Sequence, residues 1–336
     1  MSEHWSHSWG VLGHDWAVNA LRESLRNRRA RHAYLIAGPD GVGKETLARG
    51  FAMALNCMHP DAALHPCGEC SSCVRILSGN HPDILYSQTD ATTGALKVEE
   101  VRGLSGRLSL KPYEGHSRIA IVRDFDRAAP IAQDALLKTL EEPPPYAVLL
   151  LVAEQLERVL PTIISRSQLI HLRPVDAGTI ERVLTSVYGA DPVHARLLAG
   201  LSGGRIGWAI RALADPDMLE GRTGALDQLE ALIAAPRVGR FAAAEPLSKD
   251  KPALIAQLEL WQTWWRDALL LTERADVPLA NVDREQSLAE VTRYLSPEDV
   301  LKALQATRET IRLLNTTNAN TRLALEVMLL DYPGLR

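Results

Sequence analysis

Four cysteines, Cys57, Cys67, Cys70 and Cys73, are the only ones in the chain, and they crowd into one short stretch of it. Thiolates are soft ligands, and a Cys-x-x-Cys-x-x-Cys run with a fourth cysteine a loop upstream has the spacing of a tetrahedral zinc site. Disulfides and free thiols are the competing readings, but cysteines three apart fit bridge geometry poorly, and zinc is favoured over both. His59 and His65 are secondary candidates as ligands. Four protein ligands leave no open position, so such a metal would hold structure rather than do chemistry.

The second constellation is Gly38-Pro39-Asp40-Gly41-Val42-Gly43-Lys44, a G-x-x-x-x-G-K phosphate-binding loop. Gly38, Gly41 and Gly43 let backbone N–H groups turn toward phosphate oxygens, and Lys44 adds a positive charge where a helix starts. The next residue should carry a hydroxyl for Mg²⁺, yet Glu45 stands there and Thr46 follows one place late. At the end of the strand 118–122, where a metal-orienting carboxylate belongs, the chain has Arg123 and then Asp124. A cation in that place opposes the metal on which phosphoryl transfer depends. The loop therefore reads as inherited rather than catalytic, and it does not by itself establish ATP binding.

These residues need a scaffold, and the pattern around them supplies one. Strands are expected at 33–37, 84–87, 118–122, 146–153 and 168–172, separated by helices at 44–56, 98–108 and 131–142, the last stopped by Pro143, Pro144 and Pro145. Strand–helix alternation of this kind gives a parallel, doubly wound sheet. A helix over 15–29 precedes it, with Asp15 as cap and Trp16, Ala20, Leu21 and Leu25 as its apolar stripe. Its basic end, Arg22, Arg26, Arg28, Arg29 and Arg31, reads as a solvated face in preference to a phosphate-contacting one. After Pro174 only helical patterns remain. Trp261, Trp264 and Trp265, at helical spacing, fit a packed core or an interface better than a base-stacking platform.

At Asp134-Ala135-Leu136-Leu137-Lys138-Thr139-Leu140-Glu141-Glu142-Pro143-Pro144 the chain resembles the AAA+ clamp-loader subunits of bacterial DNA polymerase III. The order around it agrees: His32-Ala33-Tyr34, the phosphate loop, the cysteine insert, then Pro161-Thr162-Ile163-Ile164-Ser165-Arg166-Ser167, and finally Asn318 to Glu326. The resemblance implies an α/β AAA+ P-loop domain over 1–175 with a zinc module at 57–73. It also implies a helical lid over 176–216 and a helical collar over 217–336. Arg166 falls on the arginine that the family presents to a neighbour's ATP, with Ser167 in place of the usual cysteine. Ala153 and Glu154 stand where hydrolysing members carry a polar sensor. Gly207 stands where they carry a γ-phosphate-sensing arginine, with Arg205 nearby.

The resemblance thus implies a non-catalytic loader subunit, part of the polymerase III holoenzyme, that supports ATP-dependent loading of the sliding clamp. The alternative is an active ATPase subunit of the same loader. Implied partners are the gamma/tau and delta type subunits, the clamp and primed DNA. Composition is compatible: 46% apolar and 23% charged residues suit a folded chain, and 37 Lys+Arg against 41 Asp+Glu leave −4, without a basic excess. A zinc-dependent DNA-binding regulator finds no recognition-helix motif and no such excess. The longest apolar run, 146–153, is far short of the roughly 18 residues of a membrane span, and the opening MSEHWSHSWG lacks a leader pattern. A cytoplasmic location is expected.

Overall fold

A strand buried on both faces must be apolar along its whole length, and Ala147–Ala153 satisfies this, every residue being buried. In a computed structural model that describes residues 9–90 and 94–334, this strand is the middle of a five-stranded parallel sheet. The strands are β1 (Ala33–Ala37), β2 (Ile84–Tyr86), β3 (Arg118–Val122), β4 (Ala147–Ala153) and β5 (Gln168–His171), in the order β2-β3-β4-β1-β5. Leu35 pairs with Leu151 and Ile121 with Leu150, so alternate residues feed two cores. One core holds Tyr34, Ile36, Ile121 and Leu150; the other holds Leu35, Ala120, Val122 and Leu151.

Helices α1 (Asp15–Arg26) and α2 (Lys44–Asn56) cover the first core with α3 (Ser71–Leu77). The second core is covered by α4 (Val98–Leu108), α5 (Pro130–Asp134), α6 (Leu137–Glu141) and α7 (Pro161–Arg166). The chain divides into two units, Met1–Val183 with Gly204–Trp208, and Leu184–Gly203 with Ala209–Arg336. Helices α8 (Ala177–Ser186), α9 (Pro192–Leu201) and α10 (Ile206–Ala214) follow the sheet. The second unit continues with α11 (Asp217–Ala234), α12 (Arg237–Leu247), α13 (Lys251–Thr272), α14 (Glu285–Thr292), α15 (Pro297–Thr316) and α16 (Thr321–Asp331). Its core is built on Trp261, Trp264 and Trp265, all fully buried. The packed-core reading of this triplet therefore holds and the stacking platform does not. No helix among the described residues is long and apolar enough to cross a membrane.

Four local expectations are corrected. His14, not Asp15, is the N-cap of α1, its carbonyl accepting the N–H groups of Ala17 and Val18 at 2.9 and 3.3 Å. Ala17, Val18 and Leu21 face inward, while Trp16 and Ala20 are exposed. The helix stops at Arg26 because Arg28 takes a left-handed φ of 52°, and Arg29 N–H reaches back to the Ser24 carbonyl at 2.8 Å. The single helix expected over 131–142 is two, since Leu136 N–H bonds the Gln133 carbonyl three residues back and tightens the turn. Leu136 and Leu140 both lie in the second core. The opening residues 1–8, read for a leader, lie outside the described residues.

Candidate functional site

Parallel strands end on one edge of a sheet, so the loops after β1, β3 and β4 meet there. The phosphate loop runs from β1 into α2 with Gly38, Gly41 and Gly43 all at positive φ. At Gly38 a Cβ would lie 2.3 Å from the Leu172 carbonyl oxygen, so no other residue fits. Lys44 opens α2 and donates from Nζ to the Pro39 carbonyl at 2.7 Å. Burial pushes its pKa down, while the carboxylates of Glu154, Asp40, Asp126 and Asp124 push it back up. A phosphate approaching this lysine would meet four acidic groups as well.

Beside it, the two departures from the ATPase pattern engage each other. Arg123 Nη1 lies 3.7 Å from Glu45 Oε1, and the same oxygen accepts from Arg49 at 3.3 Å. The Arg123 guanidinium also rests over the Tyr86 ring, 6.0 Å from its centroid. The backbone seals the loop from another side: Gly207 N–H donates to the Gly41 carbonyl at 2.7 Å, and a Cβ at 207 would sit 2.9 Å from that oxygen. No side chain, let alone an arginine, fits at 207 without moving the loop. Arg205 lies over the Trp208 ring at 5.9 Å. Thr46 is half-buried one position further along α2. Asp126, which sequence reasoning overlooked, accepts the N–H groups of Glu154 and Gln155 at 3.1 and 3.2 Å and ties down the end of β4. An aspartate just beyond a strand end was the only available signal.

The cysteines come together as a second site. Cys57 caps the end of α2, Cys70 is the N-cap of α3, and Cys73 sits in its first turn. One ligand atom from each of the four lies within 4.8 Å of the others, the geometry of a cluster that could hold a metal ion. The thiol sulfurs of Cys57, Cys67 and Cys70 accept backbone N–H groups at 3.3 to 3.5 Å. Burial pushes the Cys73 thiol up; at Cys70 burial is outweighed by hydrogen bonds, among them those from the Cys73 and Met58 N–H groups, leaving a pKa of about 7. His65 instead turns Nε2 to the His59 carbonyl at 2.7 Å, and His59 Nδ1 faces Asp61. Neither histidine is grouped with the four sulfurs.

A polar joint that the sequence did not announce ties the loop before β3 to the residue just before β2. Asp83 is fully buried and its carboxylate accepts the N–H groups of Tyr113, Glu114 and Gly115 at 2.6, 2.9 and 2.8 Å, with Arg118 at 3.0 Å. Arg166, at the end of α7, has its guanidinium at the surface. Nη1 donates to the Thr162 carbonyl at 3.1 Å, and Nη2 pairs with Glu141 at 2.8 Å. The phosphate loop and the cysteine cluster flank α2 at its two ends, while Arg166 is carried by α7.

The family model "DNA polymerase III, delta subunit" matches residues 13–176, and its C-terminal counterpart matches 216–333. The delta' subunit of Bacillus subtilis DNA polymerase III is 29% identical over 316 residues, covering 93% of this chain and 94% of its own. That of Pseudomonas aeruginosa is 30% identical over 313 residues, covering 90% and 92%. The tau/gamma subunit of Haemophilus influenzae is 37% identical over 177 residues, 53% of this chain; the chain spans a quarter of that longer protein, 25%. With both family models matched in order and delta' relatives aligned nearly end to end, the chain belongs to the DNA polymerase III delta' family.

Proposed function

We propose that this chain, a clamp-loader subunit of DNA polymerase III in DNA replication, hydrolyses no ATP itself and presents Arg166 in trans to the nucleotide of a neighbouring subunit. The Glu45–Arg123 ion pair carries the first half of this reading. An ATPase of this type holds Mg²⁺ between a hydroxyl and a carboxylate, and here a carboxylate and a guanidinium neutralise each other in their stead. The surface position of the Arg166 guanidinium supports the second half, since a planar cation can stabilise charge on the transferring phosphoryl oxygens of another subunit.

Gamma/tau and delta type subunits are the neighbours in this reading, with the sliding clamp and primed DNA engaged through the cytoplasmic assembly. The domain plan expected from the sequence, a P-loop domain to 175, a lid to 216 and a collar beyond, is part of the same proposal. Cys57, Cys67, Cys70 and Cys73 would hold a zinc ion, which supplies a rigid cross-link and no reaction chemistry.

The decisive experiment compares Arg166→Ala and Lys44→Ala in a reconstituted loader. Arg166→Ala should assemble normally and lose clamp loading with part of the DNA-stimulated ATP turnover; fingers of this kind contribute roughly 10³- to 10⁵-fold at the one site they serve. Lys44→Ala should be nearly silent, and the isolated chain should release negligible phosphate. A silent Arg166→Ala beside a crippling Lys44→Ala would reverse the assignment and make this an active ATPase.

A further inference from the structure

Arg166 does not hang free at the surface. Three neighbours hold its two terminal nitrogens: the Thr162 carbonyl and, more weakly, Ser165 Oγ at 3.5 Å take Nη1, and Glu141 Oε1 pairs with Nη2 at 2.8 Å. Nε–H has no partner among the described residues and is unspent. It belongs to the edge of a guanidinium that can present two N–H groups to a phosphate.

The carboxylate is well placed by its own element. Glu141 ends α6, and Pro143 to Pro145 prevent the helix from continuing. Leu140 of α6 and Ile163 of α7 lie in the same core, at 3% and 0% exposure, so the two helix ends are fixed against each other. Gln133 reinforces this, its Oε1 accepting Leu160 N–H at 2.8 Å where α7 begins, and its Nε2 donating to the Arg158 carbonyl. The pair itself is open to solvent, with side-chain exposures of 38% for Arg166 and 53% for Glu141. An ion pair so exposed contributes little to stability. What it can do is narrow the rotamers of a long side chain before the phosphate arrives, which is the usual source of advantage in preorganised sites.

Resting on the reading of Arg166 as a finger in trans, we infer that Glu141 is its positioning residue. It holds the guanidinium plane so that the Nε edge faces outward, and it touches no reacting atom. Because the neighbour's nucleotide is bound by the neighbour's own loop, loss of Glu141 should act on the chemical step and not on nucleotide affinity.

The test is a double-mutant cycle in the reconstituted loader, read as steady-state ATP turnover with primed DNA and clamp present. The turnover lost in Arg166→Ala defines the finger-dependent rate. Glu141→Ala should lower the kcat of that portion about three- to fivefold, in line with an exposed charge pair, with KM for ATP unchanged. Glu141→Gln, which keeps an acceptor oxygen of the same reach, should recover part of the loss. In the Arg166→Ala background Glu141→Ala should add nothing. If Arg166→Ala impairs turnover while Glu141→Ala is silent, stimulating or additive with it, the positioning role is wrong and the finger survives. If Arg166→Ala is itself silent, both readings fall together.

Discussion

Asp83 illustrates how much a single buried carboxylate can organise. Burial alone raises its pKa, but the N–H groups of Glu114, Gly115 and Tyr113 outweigh that and hold it below the ordinary 3.8. A folded-state pKa below the unfolded one means the unfolded chain binds more protons in the window between them, so stability rises with pH there. The contribution is complete above about pH 5, where the unfolded carboxyl is ionised, and is lost as pH falls below roughly 4 toward the folded value. Asp83→Asn should therefore cost about 2 to 3 kcal/mol near neutral pH, the worth of charge-assisted hydrogen bonds in a buried place. Urea unfolding midpoints from pH 3 to 7 should show the gap between the two proteins closing at the acid end; a gap of constant size would contradict the assignment. Asp83 and Asp126 did not stand out as hubs in the sequence, because an acidic side chain becomes one only when distant backbone groups are folded onto it.

At the scale of elements, the insert from Cys57 to Cys73 joins α2 to α3 through short turns that bury little apolar surface. Leu64 and Met58 are exposed, at 42% and 61%. Such a segment depends on a cross-link for its order. Zinc analysis of protein purified without added metal should give about one ion per chain bound by the four thiolates. Cys70→Ser should raise amide hydrogen exchange across 57–77 while leaving β1, β3 and β4 protected. Exchange that stayed unchanged after metal loss would show that the turns hold themselves.

Arg240 sets the corresponding condition for the C-terminal unit as a whole. It is 5% exposed and donates to six carbonyls, those of Leu232, Ile233 and Ala235 at the end of α11 and those of Leu329, Tyr332 and Pro333 at the end of α16. Helix C-termini leave carbonyls unpaired and carry partial negative charge, so one guanidinium satisfies two elements far apart in sequence. Arg240→Leu keeps the packing volume but strands those acceptors and should destabilise this unit by about 3 kcal/mol. Hydrogen exchange should rise over 217–334 and not over the sheet. Equal loosening in both units would mean that their stabilities are coupled.

The sequence alone determined the parts whose physics is local or periodic. Strand–helix alternation specified a parallel sheet, because each strand had to be apolar on both faces and each connection long enough to cross over. The glycine loop marked a candidate phosphate site, Glu45 and Arg123 marked where it departs from the ATPase pattern, and the cysteine spacing marked a candidate metal cluster. Only tertiary structure decided what those residues do with one another. That Glu45 meets Arg123, that Gly207 closes on Gly41 and that Glu141 holds Arg166 each depend on side chains or backbone groups brought together across the chain. Short-range misreadings show the same limit: the break between α5 and α6 is a tight turn closed by the Leu136 N–H on the Gln133 carbonyl, which the helical pattern of the sequence does not record.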